Sequence, residues 1–255
     1  MSLALFDLTG RRALVTGSGQ GIGLALATGL GRAGAEIILN GRDRARLDAA
    51  LPALREAGIT ASASAFDVTD HDAVVAAVTR IETELGAIDI LVNNAGIQRR
   101  GALEDYPVET WHEILRANLD SVFYVGQAVA RHMIPRGRGK IINVASLQSE
   151  ASRFSIAPYA ATKGAVKMLT KGMCTDWARH NIQVNGIGPG YFATPLNQAL
   201  IDNPEFDAWL KKRTPAGRWG RVEELQGAAI FLASAASDFV NGQIVYVDGG
   251  VLATL

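Results

Sequence analysis

Tyr159 and Lys163, in the segment Tyr-Ala-Ala-Thr-Lys, are the side chains of this sequence best placed by type and spacing to do chemistry. Residues four apart share one face of a helix, with Cβ atoms about 5–6 Å apart. A free tyrosine has a pKa of about 10. A neighbouring ammonium favours the tyrosinate by charge attraction. A phenol tuned in this way takes a proton from an alcohol, or returns one to a ketone, while hydride moves at the carbon. Ser146 follows the apolar run Lys140 to Val144, and its hydroxyl suits the oxygen of the same substrate. Taken singly, these features are ordinary: such pairs are frequent in helices, and serines cap many turns.

A hydride partner is indicated upstream. Thr16-Gly-Ser-Gly-Gln-Gly-Ile-Gly23 stands between an apolar run, Arg12 to Thr16, and a helical stripe of Ile22, Leu26 and Leu30. Gly17, Gly21 and Gly23 allow a tight turn and close backbone approach, with Ser18 and Ile22 between them. The helix that follows offers free N–H groups to a pyrophosphate. The strand before and the helix after are the context this motif requires. A dinucleotide fold that takes NAD usually has a carboxylate at the end of the second strand, for the ribose 2′-hydroxyl. Here that corner reads Asn40-Gly41-Arg42, and Asp43 looks like a helix cap. A guanidinium at Arg42 fits a 2′-phosphate. The expectation is therefore NADP, with NAD and a merely solvated Arg42 as the alternatives. Asp67-Val68 and the Asn94-Ala95-Gly96 part of Asn93-Asn-Ala-Gly96 follow two further strands, where ligands bind in such folds. Both are also common turn chemistry.

The elements that position these residues alternate. Strand-like runs at Glu36–Asn40, Thr60–Phe66, Ile88–Val92, Lys140–Val144, Ile182–Ile187 and Gln243–Val247 follow the first one. Helices are predicted over Gly21–Ala33, Asp43–Ala57, Asp70–Leu85, Val108–Met133, Tyr159–His180 and Val222–Ala235. Alternation with uniformly apolar strands predicts an α/β fold, a doubly wound parallel sheet of about seven strands with helices on both faces. Residues 1–255 read as one domain, with a small substrate lobe near 190–220.

Composition narrows the classes. Lys plus Arg, 25, balances Asp plus Glu, 25, which gives no basic surface for nucleic acid or membrane. The N-terminus lacks the pattern of a signal peptide. A single cysteine, Cys174, fits a reducing, cytoplasmic setting. The four histidines are far apart, without metal-ligand spacing, so no metal is expected. The helices around Asn118 and Tyr159 carry small and apolar residues on more than one face, which points to partner subunits.

Taken together, the glycine loop, Asn93-Asn-Ala-Gly96, Ser146, Tyr159, Lys163, Pro189-Gly190 and Thr194 resemble the short-chain dehydrogenase/reductase family over nearly the whole chain. The resemblance implies a Rossmann-type domain, a homotetramer, Tyr159 as general base or acid, and Lys163 as the group that lowers its pKa and binds the nicotinamide ribose. It also implies that Ser146 orients substrate, that Asn118 holds a water of a proton relay, and that Pro189, Gly190 and Thr194 contact the carboxamide. Gly188 departs from the alanine often found there. The segments 97–100, 148–150, 179–185, 189–192 and 213–220 are similar to the sugar-acid dehydrogenases of that family. A polyhydroxy acid needs a cation for its carboxylate, here Arg99 or Arg100 with Arg99 preferred, and hydrogen-bond partners such as Gln148 and Tyr191. Alternatives are a 3-oxoacyl-carrier-protein reductase, which the polar Gln148-Ser-Glu150 segment disfavours, and a non-catalytic nucleotide sensor or scaffold.

Overall fold

Seven strands lie side by side and parallel: β1 (Arg12–Val15), β2 (Glu36–Gly41), β3 (Ala61–Ala65), β4 (Ile90–Asn93), β5 (Gly139–Val144), β6 (Ile182–Pro189) and β7 (Ile244–Val247). Their order across the sheet is β3-β2-β1-β4-β5-β6-β7. This is a computed structural model, and it describes residues 3–254. Residues 1, 2 and 255, which belong to the N-terminal reading and to the domain span above, lie outside the described residues.

The inner strands are apolar runs because both of their faces are covered. Ala13 and Val15 of β1 join one core with Leu26 and Leu30 of α1 (Gly21–Arg32), Leu47 and Leu51 of α2 (Arg44–Glu56) and Leu232 of α9 (Gln226–Ala233). Leu14, between them, joins the opposite core with Val74 and Val78 of α3 (His71–Arg80), Val125 of α5 (Ser121–Arg136) and Val166 of α6 (Ala157–Trp177). This period-two division of one strand between two cores is what fixes the register of the sheet.

Helix starts follow the acidic caps. Asp43 accepts from the N–H of Arg46 at 3.1 Å, and Asp70 from that of Ala73 at 3.0 Å. Several helices differ from expectation: the one expected to Leu85 is α3 and then a π-turn (Ile81–Leu85), and the one expected from Val222 is a 3-10 turn (Val222–Leu225) and then α9. The region from 108 onward is helical without a break, as α4 (Val108–Leu115), a π-turn (Arg116–Asp120) and α5. π-turns are rare and concentrate at functional sites. α6 begins two residues before Tyr159, with Pro158 in its first turn, where a missing N–H costs nothing. Between β6 and α9, segment 190–220 holds α7 (Gln198–Ile201) and α8 (Pro204–Arg213). Among the described residues, no helix is long and apolar enough to cross a membrane.

The strand order reverses direction between β1 and β4. In open parallel sheets, ligands bind in the crevice outside the carboxyl ends of the strands at such a switch point. The loops after β1, β4, β5 and β6 all open there.

Candidate active site

Two adjoining cavities share Gly17, Gln20, Asn94, Gly96 and Ile97 and form one groove along the carboxyl edge of the sheet. At its centre α1 begins. No side chain caps that helix, and Gly21, Ile22 and Gly23 line the groove with the N–H groups of its first turn unsatisfied within the helix. Gly21 has φ +58°, and a Cβ added there would meet nothing within 4 Å. Gly23 answers a different need: its Cβ would sit 2.4 Å from the Gly17 carbonyl oxygen. Asn94 donates from Nδ2 to the Thr16 and Gly17 carbonyls at 3.0 Å each, and Thr16 Oγ1 accepts from the N–H groups of Asn94 and Ala95. The loops after β1 and β4 are thus locked to each other. An uncapped helix start over a bare glycine turn fits a dinucleotide pyrophosphate.

Ser18 does not take part in that cradle. Its hydroxyl is buried, donates to the Val15 carbonyl at 2.7 Å and accepts from the Asn40 N–H at 3.0 Å. The side chain joins β1 to β2 and lines neither cavity. The expectation that it contacts cofactor is corrected for this reason.

One cavity lies at the β2 corner and is lined by Arg42, Asp67, Val68 and Ala95. Asn40, at the strand end, is buried and donates to the Ser64 and Phe66 carbonyls, so no carboxylate faces the cavity from that position. Arg42 is 75% exposed and stands 3.7 Å from Asp67. Partial burial raises the Asp67 carboxyl, but hydrogen bonds from Thr69 and the charge of Arg42 outweigh it, and its pKa is lowered. Arg46, in the first turn of α2, lines the same cavity. Arg46 was not singled out from the sequence. A second arginine just past the Asp43 cap, close to the Asn40-Gly41-Arg42 corner, was the available signal.

The other cavity brings Ser146, Tyr159 and Lys163 together with Pro189, Gly190 and Thr194. Ser146 caps the short turn Leu147–Ser149 and accepts from the Gln148 N–H at 3.1 Å. Ser149 Oγ donates to the Lys163 carbonyl at 2.8 Å and holds that turn against α6. Burial pushes the Tyr159 phenol above its ordinary pKa, and the neighbouring Ser146 hydroxyl partly opposes this. Lys163 is buried, and desolvation draws it down to about 8. Its Nζ donates to the Val144 carbonyl at 2.7 Å and lies 5.7 Å from the centre of the Tyr159 ring. In this state burial outweighs the polar neighbours of the phenol and holds it raised. Gly188, on β6, has no room for alanine, since a Cβ would approach the Tyr246 ring to 2.3 Å.

Asn118, in the π-turn, is fully buried and lines neither cavity. Its Oδ1 accepts from the Ile97 N–H at 2.7 Å, and its Nδ2 donates to the Ile97 carbonyl and to Thr162 Oγ1. The side chain positions the loop after β4 against α6. Both polar ends of that side chain are engaged within the protein.

Arg99 also departs from expectation. It forms a two-pronged ion pair with Glu113, 2.8 Å at the shorter arm, and faces the nucleotide-side cavity. The cations beside Tyr159 are instead Arg100 and Arg153, with Gln148 and Tyr191. Arg153 was missed because residues 151–156 have no period to read. Tyr191 stands edge-on to Phe206, Trp209 and Trp219, with ring centres 5.9–6.2 Å apart. These aromatics pack the lobe that walls the cavity.

Comparison with known proteins agrees with this geometry. Residues 17–252 match the family model described as Enoyl-(Acyl carrier protein) reductase. The chain is 60% identical to a gluconate 5-dehydrogenase of Gluconobacter oxydans (strain 621H), over 98% of each chain. It is 56% identical to a 5-keto-D-gluconate 5-reductase of Escherichia coli (strain K12), over 97% of this chain and 98% of that one. A crystal structure of a gluconate 5-dehydrogenase from Burkholderia cenocepacia J2315, in complex with NADP and tartrate, is 60% identical, with a TM-score of 0.98 and full coverage of both chains.

Proposed function

Since the chain belongs to the short-chain dehydrogenase/reductase family, we propose that it interconverts D-gluconate and 5-keto-D-gluconate with NADP. The observation that carries the reading is that Ser146, Tyr159 and Lys163 face one cavity with the glycine-rich start of α1. When bound, NADP supplies the hydride acceptor for oxidation and, reduced, the donor for the reverse reaction. The N–H groups of Gly21, Ile22 and Gly23 hold its pyrophosphate. Arg42, joined by Arg46, takes the 2′-phosphate, and Asp67, Val68 and Asn94 to Gly96 border the adenosine. Pro189, Gly190 and Thr194 wall the nicotinamide end.

Ser146 Oγ holds the substrate hydroxyl, and Tyr159 Oη removes its proton as the carbon loses hydride. Lys163 Nζ keeps a positive charge close to the phenol ring. That charge favours the proton's departure once the cleft is filled and water is excluded. Cationic and amide side chains beside the reacting pair suit a polyhydroxy acid. They suit the acyl chain of a carrier-protein substrate poorly, since such a chain offers them no partners.

The test is oxidation of a panel of sugar acids and polyols with NADP and with NAD, followed at the nicotinamide absorbance. D-gluconate with NADP is expected to give the highest kcat/KM. Turnover of neutral polyols alone would overturn the reading.

In this reading residues 1–255 act as one cytoplasmic domain, and the active form is a homotetramer. Two observations support assembly: Met168 and Phe123, on α6 and α5, are exposed, and every residue of the edge strand β7 is only half-buried. A monomer in size-exclusion chromatography would overturn the tetramer.

A further inference from the structure

The turn that carries Ser146 is too short to hold its own position. One 3-10 turn, Leu147–Ser149, separates the Ser146 cap from Glu150. Such turns have poor hydrogen-bond geometry and depend on their surroundings. Within it, the Ser146 and Leu147 carbonyls accept from the Ser149 and Glu150 N–H groups at 2.9 and 3.1 Å, so a shift of Glu150 is passed to Ser146. Ser149 ties the middle of the turn to α6, and Glu150 anchors its far end. Glu150 Oε1 accepts from Tyr246 Oη at 2.6 Å and also from Lys167 Nζ. Lys167 stands one helical turn beyond Lys163 and two beyond Tyr159, on the same face of α6. Tyr246, on β7, pairs in register with Gly188 and lays its ring over that glycine, just before Pro189. One carboxylate oxygen thus joins the Ser146 turn, the helix of the reacting pair and the end of β6.

An exposed ion pair would contribute little here. This one is partly shielded, with the Glu150 and Lys167 side chains 36% and 25% exposed, and its oxygen has a second, neutral donor. Linked hydrogen bonds of this kind strengthen one another. The charge states are fixed near neutral pH. Hydrogen bonds from Lys167, and then from Tyr246, hold the Glu150 carboxyl below the usual carboxylate range. Burial, and then the bond to Glu150, pushes the Tyr246 phenol up. Glu150, Lys167 and Tyr246 line neither cavity, so their effect on turnover passes through the residues they hold.

We propose that Glu150 is a positioning residue for the reaction: gripped by Tyr246 and Lys167, it fixes the turn so that the Ser146 hydroxyl meets the substrate oxygen beside Tyr159. The proposal rests on the roles given to Ser146 and Tyr159 above, and not on which alcohol is oxidised. A misplacement of about 1 Å at a reacting centre costs about 100-fold in rate, so a grip outside the cavity is enough to matter.

The test is a double-mutant cycle in the full-length enzyme with saturating NADP and D-gluconate. Glu150→Ala is expected to lower kcat about 10- to 100-fold and to leave the NADP dissociation constant unchanged. In a Ser146→Ala background the same substitution should cost less than about twofold, because the group it positions is gone. Glu150→Gln keeps an oxygen for both donors and should recover part of the loss. A purely structural role would lower the unfolding midpoint and give the same factor in kcat in both backgrounds. Equal losses in the two backgrounds, or a Glu150→Ala enzyme with wild-type kcat, would overturn the proposal. If Glu150→Ala fails to bind NADP and so is misfolded, Tyr246→Phe decides by the same cycle, since it removes one hydroxyl and keeps the ring over Gly188. Wild type that oxidises another alcohol in place of D-gluconate would overturn only the substrate reading, and the cycle is then run on that alcohol. Wild type without dehydrogenase activity would overturn both.

Discussion

Lys163 donates from Nζ to the Val144 carbonyl across 2.7 Å and fastens α6 to the end of β5. Its ammonium therefore serves the scaffold as well as the reaction. The bond holds the charge in a buried place, close to the Tyr159 ring and beside the groove. Tyr159, for its part, is raised by burial, so the ligand-free site holds a neutral phenol at physiological pH. A proton acceptor in this state needs a further push from whatever fills the cleft.

Tyr159→Phe removes the proton acceptor and leaves the ring's packing. Turnover of D-gluconate should fall by about 10²- to 10⁴-fold, the range for loss of a general base. NADP binding, followed by fluorescence titration, should not change. A variant with near-normal kcat would show that another group carries the proton.

Lys163→Met should have a stability effect with a definite pH dependence. Desolvation lowers the folded-state pKa of Lys163 to about 8, from 10.5. The unfolded chain therefore binds the proton more tightly, and wild-type stability rises with pH across this interval. The penalty is about 3 kcal/mol below pH 8, at 1.36 kcal/mol per unit, and vanishes above 10.5. Losing the bond to Val144 offsets part of the gain. Relative to wild type, the variant should thus be most stable below pH 8 and lose that advantage as pH rises to 10.5. Urea unfolding at several pH values measures this, and a flat difference would contradict it.

Much of this site was legible in the sequence, and the exceptions have physical reasons. The strands and the glycine turn announce themselves through apolar runs and through glycines at backbone shapes that other residues rarely adopt. Ser146, Tyr159 and Lys163 sit at strand and helix ends, whose positions those runs define. Arg99 and Arg100 are another matter. A loop has no period, and only Glu113, from a distant helix, decides which of the two faces the nucleotide side. The π-turn at Asn118 was hidden because helical periodicity barely changes across one widened turn. The contact from Lys163 to Val144 crosses between elements 19 residues apart, and spacing within a helix says nothing about it.

Arg42→Ala tests the cofactor choice. Arg42 is exposed, and its 3.7 Å pair with Asp67 contributes little to stability. kcat/KM with NADP should fall by about 10- to 100-fold through loss of a charge-assisted contact to the 2′-phosphate. The value with NAD should hold or rise. Equal losses with both cofactors would place the arginine away from the 2′ position.

Arg99→Ala separates adjacent arginines. Its guanidinium is engaged by Glu113 at the surface, and exposed ion pairs are worth about 0–1 kcal/mol. Gluconate KM and thermal stability should both stay close to wild type. A marked rise in KM would return Arg99 to the substrate.

Ser18→Ala distinguishes a structural hydroxyl from a cofactor ligand within the glycine loop. The Ser18 hydroxyl is buried between two strand ends, donating to Val15 and accepting from the Asn40 N–H. Alanine leaves that N–H buried without its partner, at about 1–3 kcal/mol. For a chain of this size each kcal/mol lowers the midpoint by about 2–4 °C, so Tm should drop by several degrees. KM for NADP should stay put, because the turn is held independently by Asn94 and Thr16. A hydroxyl that gripped the pyrophosphate would give the opposite pattern, with Tm of the ligand-free enzyme preserved and KM for NADP raised. Differential scanning calorimetry without NADP, beside initial rates with it, separates the two outcomes in one variant.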